Sequence, residues 1–161
     1  MPTSASSSSP FPLIYRLFFL YIEPVATAVG AFYAHFDQKA YLAMTVPSYS
    51  PTALLEPSQV QSIVLTQLAN MYFAFALSEA LVLRSTSSRQ VWRTFLLVLL
   101  LADFGHLYSV RSTGPDIYIR FWEWNAMAAG NVGFVYVGAF LRSCFLLGIG
   151  SANSATTKKA I

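Results

Sequence analysis

Four stretches of this chain are long and apolar enough to cross a lipid bilayer, and nothing else in it limits the fold as strongly. They run over residues 13–36 ("LIYRLFFLYIEPVATAVGAFYAHF"), 60–84, 91–110 and 126–150. Each approaches or exceeds the ~20 residues a helix needs to span the hydrocarbon core. The expected fold is all-α, an integral membrane four-helix bundle in a single domain.

Composition points the same way. Of 161 residues, 55% are hydrophobic and only 11% charged, whereas soluble domains carry about 25% charged residues. A soluble chain this short could not bury so much apolar surface. A net charge of +3 would suggest nucleic acid as a partner for a soluble protein. Here the basic residues flank apolar segments, where they set orientation, so the bilayer and not nucleic acid is the expected partner. Cys144 is the single cysteine, which excludes an intrachain disulfide. There is no zinc-type Cys/His spacing and no glycine-rich phosphate loop, so neither metal nor cofactor is expected.

Residues 1–12 read as a disordered lead-in, Ser-rich and uncharged through residue 10. Residues 13–150 form the transmembrane domain, and 151–161 a C-terminal tail. The Ala26–Ala28 triplet has the form of a signal-peptidase site. No basic region precedes it, however, and Arg16 and Glu23 interrupt the apolar run, so it reads as a retained helix. Residues 37–59, with Pro47, Pro51 and Pro57, read as a long loop, and 85–90 as a tight polar turn. Four crossings put both termini on one side, with Arg16, Arg84, Arg89, Arg93, Lys158 and Lys159. Lys39, Arg111 and Arg120 fall opposite, and Arg142 lies within the fourth span. The excess predicts cytosolic termini, and the endoplasmic reticulum is the expected membrane.

Ionisable groups at bilayer depth are expensive and usually face a bundle interior or a cavity. Glu23 sits about 15 Å along the first helix from Leu13, near mid-membrane. Pro24 follows it and deprives the Leu20 carbonyl of its usual donor. Such a kink beside a carboxyl opens a polar pocket, unless Glu23 simply pairs with Arg16 one heptad earlier. Asp103 and His106 share a helix face, with Asp103 about 18 Å from Val91, a depth comparable to Glu23. Polar bonds between membrane helices average under ~1 kcal/mol, a weak reason to place a charge there, so a functional role is favoured. In the second span Gln67 and Asn70 share one face, and Tyr72 and Glu79 the opposite one. Glu79 is expected to pair near the headgroups with Arg84, and the deeper Asn70 to line the pocket. Tyr118, Phe121, Trp122 and Trp124 have the composition of an interfacial aromatic belt, with Glu123 and Asn125 interleaved at the outer mouth. Gly130, Gly133 and Gly138 suit close helix packing.

A carboxyl removed from water keeps its proton more readily and is then a competent general acid. Aromatic faces attract positive charge, most strongly where water is excluded. The parts fit proton-initiated chemistry on a hydrophobic small molecule, although proton relay or plain lipid binding would use similar ones. The catalytic candidates are Glu23, Asp103, His106 and Glu123. Candidate substrate contacts are Asn70, Phe104, Tyr108, Trp122, Trp124 and Asn125.

The segments "RLFFLYIEP" (16–24), "QLANMYFAFALSEALVLR" (67–84), "VWRTFLLVLLLADFGHLYS" (91–109) and "FWEWNAMAAGNVGFVYVGA" (121–139) resemble a fungal family of small four-helix membrane proteins. That family includes membrane-bound terpene cyclases of meroterpenoid biosynthesis, of the ascofuranone and macrophorin type. The resemblance covers nearly all of the chain after residue 12. It implies a metal-independent, non-redox cyclisation of an epoxidised farnesyl-type chain on a polyketide- or shikimate-derived head, with Glu23, Asp103, His106 and Glu123 as the matching polar positions. The D-D-x-x-D and D-x-D-D patterns of soluble terpene cyclases are missing, which leaves protonation as the initiating step. The alternatives are a non-catalytic lipid- or sterol-binding protein and a structural partner of another membrane enzyme.

Overall fold

The computed structural model describes residues 11–45 and 56–150, and every regular element among them is helical. Four long helices carry the apolar runs, α1 (Leu13–Phe36), α3 (Gln59–Arg84), α4 (Arg89–Ser109) and α6 (Ala126–Leu146), with the short helices α2 (Gln38–Thr45) and α5 (Asp116–Ile119) between them. Each is long and apolar enough to cross a membrane, so the chain is a multi-pass membrane protein. Val25, Phe36, Leu101 and Phe140 lie exposed on the outside of the bundle, as lipid-facing residues do.

Local sequence sets the helix ends. Ser58 and Gln61 form a capping box, with Gln61 N–H donating to Ser58 Oγ (3.2 Å) and Ser58 N–H donating to Gln61 Oε1 (2.9 Å). Ser88 accepts from Val91 N–H at the start of α4. The fourth span stops at Leu146 rather than continuing to residue 150. There Ile149 N–H donates to the Cys144 carbonyl (2.9 Å) and Gly148 N–H to that of Phe145 (3.0 Å), a Schellman ending. Gly148 supplies the positive φ (80°) that this ending needs.

The connector expected as a plain loop contains a short helix, α2 (Gln38–Thr45), started by Asp37, whose Oδ1 accepts from Ala40 N–H (3.1 Å). Pro47 and Pro51 lie outside the described residues, as do residues 1–10 and the tail 151–161. Phe11, assigned to the lead-in by its sequence, is buried and stacks on Trp92 with ring centroids 4.3 Å apart. Packed structure therefore starts before residue 13.

Pro24 acts on α1 as its chemistry requires. The turn before it, Phe18–Ile22, is π-helical. The Leu20 carbonyl accepts a hydrogen bond from Arg84 Nη2 (2.8 Å). The same guanidinium lies over the Tyr21 ring, 4.5 Å from its centroid.

The end of the bundle that holds the 85–88 turn is filled. Phe11, Phe18, Phe19, Trp92, Leu96 and Phe145 pack there. Tyr15 donates to the Ile149 carbonyl (2.7 Å), and Trp92 Nε1 to that of Thr86 (3.1 Å). At the opposite end a smaller group, Ala34, Tyr41, Leu65 and Ala69, packs under α2. Between these two ends the bundle is hollow.

Replacing Arg84 with Ala strands the Leu20 carbonyl in apolar surroundings. Loss of a hydrogen bond from a charged donor should destabilise the fold by about 1.5–3 kcal/mol. A lowered thermal midpoint of the purified protein in detergent, partly restored by Arg84→Lys, is the expected outcome.

Candidate functional site

Arg142 is the hub of the site. Side chains on a helix lean toward its N-terminus, so the Arg142 guanidinium folds back over Gly138, one turn earlier on α6. The fit is close: a Cβ on Gly138 would sit 2.6 Å from Arg142 Nη1. From this position Nη2 donates to Glu23 Oε1 (2.5 Å) and Nη1 to Asp103 Oδ2 (2.7 Å). Glu79 Oε1 stands 3.8 Å from Nη2. Thus α1, α3 and α4 each bring one carboxyl to a cation from α6. Glu23, Glu79 and Arg142 are all buried. Three carboxyls face one guanidinium, so the cluster is electrically neutral only when it also holds two protons (three minus one).

The cluster forms the floor of a cavity of about 530 Å³, within the roughly 300–1,000 Å³ range of small-molecule pockets. Tyr33, Tyr41, Tyr72, Phe75 and Phe134 give it an aromatic wall, and His106 and Asn131 add polar groups. Asp103 and His106 open onto the same space, as their spacing predicts. His106 Nε2 is buried with no hydrogen-bond partner among the described residues. The wall contributed by α6 is a second π-helical segment, Ala129–Phe134, and wide turns of this kind recur at functional sites. Tyr41, on α2 and outside the spans, bonds the Tyr72 hydroxyl (3.3 Å). Burial pushes its phenol up from the usual value, while the bond from Tyr72 opposes this, so Tyr41 is uncharged at neutral pH.

Several expected contacts fall elsewhere. Glu23 pairs with Arg142, not with Arg16. Glu79 does not pair with Arg84, which is engaged by Leu20; it is 3% exposed and faces Arg142. Asn70 is exposed and does not line the cavity. The inward stripe of α3 runs Leu65, Ala69, Tyr72, Ala76, Glu79, Leu83, in steps of four and three, and Asn70 stands one residue off it. On α4 the stripe is Trp92, Leu96, Leu99, Asp103, His106. Phe104 (56% exposed) and Tyr108 (64%) are off that stripe and face outward, with Tyr108 under Arg111, 3.9 Å from ring centroid to guanidinium carbon.

The 116–125 segment stays out of the cavity as well. Trp122 is 68% exposed, and Glu123 is an exposed partner of Arg120 at 3.5 Å. Trp124 Nε1 donates to the Ile117 carbonyl (2.9 Å), and its ring fills the space over Gly133, where a Cβ would come within 2.6 Å. Asn125 caps α6, accepting from Ala128 N–H (2.8 Å), and donates through Nδ2 to the Met44 carbonyl (3.1 Å). These residues build the outer end of the bundle.

Arg142 carries no site signal by itself in the sequence, where a single cation in the fourth span adds only to the charge balance. The pattern that marks it is the Gly138-x-x-x-Arg142 spacing, a vacancy one turn before a long side chain.

A family model described as a domain of unknown function, DUF7704, matches residues 8–152. The chain belongs to the DUF7704 family. No curated protein and no solved structure matches it. The DUF7704 match takes in all four spans, so the cluster and the cavity are parts of that domain. Among the described residues of this DUF7704 chain no group of three or more His, Cys, Asp or Glu is arranged to hold a metal ion.

The Gly138–Arg142 fit can be measured by a double-mutant cycle. Gly138→Ala drives a methyl into a guanidinium that two carboxyl groups pin in place, and overpacking of this kind costs about 1–3 kcal/mol. Arg142→Ala leaves buried carboxyls unpaired and should cost about 3–5 kcal/mol. In the Arg142→Ala background most of the added cost of Gly138→Ala should disappear, because Glu23 Oε1, at 3.3 Å, is then the one close neighbour left of those the added Cβ would meet. Thermal unfolding in detergent reads all four corners, and simple additivity would contradict the packing described.

Proposed function

We propose that this DUF7704 protein is a membrane-embedded acid catalyst, a terpene cyclase that closes rings on a prenylated, epoxidised, lipid-soluble intermediate. The observation that carries this reading is a cluster of three carboxyls and one guanidinium flooring an aromatic-walled cavity of about 530 Å³ within the spans.

Asp103 is the proton donor in this scheme. Its side chain is 13% exposed, against 10% for Glu23 and 4% for Glu79, so it has the best access to a ligand. Arg142 holds its Oδ2 and stabilises the carboxylate that remains after donation. The proton goes to the epoxide oxygen, and the C–O bond breaks as a neighbouring alkene forms a new C–C bond. Positive charge then moves along the chain, steadied by the faces of Tyr33, Tyr72, Phe75 and Phe134. His106 Nε2, which has no hydrogen-bond partner among the described residues, takes the final proton. One proton enters and one leaves, so substrate and product are isomers and no electrons are exchanged with a co-reactant.

The reading includes the endoplasmic reticulum as the membrane and both termini in the cytosol, supported by the bias of Arg16, Arg84, Arg89 and Arg93 to one side. A second reading, a lipid- or sterol-binding protein without catalysis, draws support from the double engagement of Arg142 by Glu23 and Asp103. That arrangement also suits a purely structural fastening of helices.

Microsomes containing the protein should convert an epoxyfarnesyl-substituted phenol into a cyclised isomer without added metal. Asp103→Asn should lower turnover by about 10²–10⁴-fold, the usual weight of a general acid, while the lipid-facing Leu101→Ala leaves it unchanged. Absence of any isomer from wild type, or full turnover in folded Asp103→Asn and Glu23→Gln, would remove the cyclase and leave the binding protein.

A further inference from the structure

The cavity has a second polar pole. Tyr41 of α2 and Tyr72 of α3 both line it, with their hydroxyls 3.3 Å apart. Tyr72 precedes Glu79 by seven residues, about 10 Å along α3, so the pair stands at the opposite end of the cavity from the Arg142 cluster. Both rings are held. Tyr41 is 6% exposed, and a Cβ on Gly30 would lie 3.6 Å from Tyr72 Cδ2. The helix that carries Tyr41 is tied at each end, by Gln38 Nε2 donating to the Ser62 carbonyl (3.4 Å) and by Asn125 Nδ2 donating to that of Met44 (3.1 Å). The pair is therefore preformed.

Two phenols joined by one hydrogen bond keep one O–H donor and several lone pairs unused. Leaving such groups unpaired in apolar surroundings is costly, and the described hydrogen bonds give each hydroxyl only the other as partner. What the pair lacks is an oxygen that accepts, or a hydroxyl that both accepts and donates.

We propose that Tyr41 and Tyr72 form the head-group site of this cavity, binding a hydroxyl or carbonyl oxygen of an amphiphile whose apolar arm lies along the aromatic wall toward Asp103 and Arg142. Its catalytic consequence rests on the cyclase reading, whereas the binding itself does not. The substrate class is a molecule with one oxygenated head and an isoprenoid arm that reaches about 10 Å, the separation along α3 of Tyr72 and Glu79. Anchoring the head at one pole fixes which part of the arm meets the acid at the other. The two tyrosines are thus positioning residues.

The test uses the purified full chain in nanodiscs and two radiolabelled probes with a saturated farnesyl-length arm that cannot cyclise. One probe carries a hydroquinone head and the other an unsubstituted benzene ring. Wild type should bind the hydroquinone probe about 3–10-fold more tightly, the worth of a neutral hydrogen bond. The Tyr41→Phe/Tyr72→Phe variant should bind both probes equally, at the affinity of wild type for the benzene probe. Should the double variant not fold, Tyr41→Phe and Tyr72→Phe singly are each expected to weaken the preference for hydroquinone, since each removes one of the two hydroxyls. Equal binding of both probes by wild type, or an unchanged preference in the folded variants, overturns the head-group site. A preference for hydroquinone without any turnover of the epoxide substrate removes the cyclase and keeps this site. Turnover without a preference does the reverse.

Discussion

The whole bundle turns on one guanidinium. Helices in a bilayer gain little from hiding apolar faces from each other, because lipid tails are as apolar as leucine. Packing and polar contacts decide which faces meet. Arg142 cannot remain alone at that depth, and Glu23 and Asp103 are where it finds partners, 2.5 and 2.7 Å away. Satisfying that one cation fixes the rotation of α1 and α4 about α6 and brings Glu79 of α3 to the same point. Buried ion pairs often contribute little net stability compared with well-packed apolar groups. What this one supplies is a register, since four helices converge on a single set of nitrogen atoms.

The two ends of the bundle follow from that point. On the side of the 85–88 turn, large rings fill the space, and the Arg142 guanidinium rests over the Phe19 ring, 5.7 Å from its centroid. On the other side, alanines and glycines stand among the inward rings and a cavity opens. Two π-helical segments lie beside it: the turn that ends just before Glu23, and the segment that carries Gly130, Asn131 and Phe134. Pro24 accounts for the first, by removing a backbone donor. Arg84 satisfies the carbonyl left behind, which is why it cannot serve Glu79, and why Glu79 is free to turn inward.

Much of this was readable in the sequence. The four spans, the Pro24 kink and the shared face of Asp103 and His106 follow from hydropathy, proline chemistry and helical spacing. Polarity and aromaticity taken without phase point Asn70, Phe104, Tyr108 and Trp122 at the cavity, which none of them lines. On α3 and α4 the inward residues recur in steps of three and four, and each of the first three is one residue or more off that beat. Trp122 lies in the 116–125 segment, whose short turns carry no helical phase. For Glu79, nearness in sequence to Arg84 favours a local pair, and a carbonyl sixty-four residues from Arg84 leaves no mark on local spacing. Arg142 was missed for a related reason: its three acidic partners come from three other helices. Sequence periodicity gives the direction a residue faces, but not what faces it.

The hollow is written into the chain as much as the cluster is. Ala26, Gly30, Ala102, Ala126 and Gly130 all line the cavity, where larger side chains would fill it. Gly130 is the clearest case, since a Cβ there would meet nothing within 4 Å among the described residues and its φ is not positive. Glycine inside a helix costs about 1 kcal/mol relative to alanine, and unfilled apolar volume costs more. Neither the backbone nor the packing asks for that glycine. A bundle whose polar cluster served only to fasten helices would gain by closing the space above it. Keeping it open at both costs makes sense if something else fills the volume, and its two polar poles, Asp103 with Arg142 at one end and Tyr41 with Tyr72 at the other, describe the shape and chemistry of that occupant.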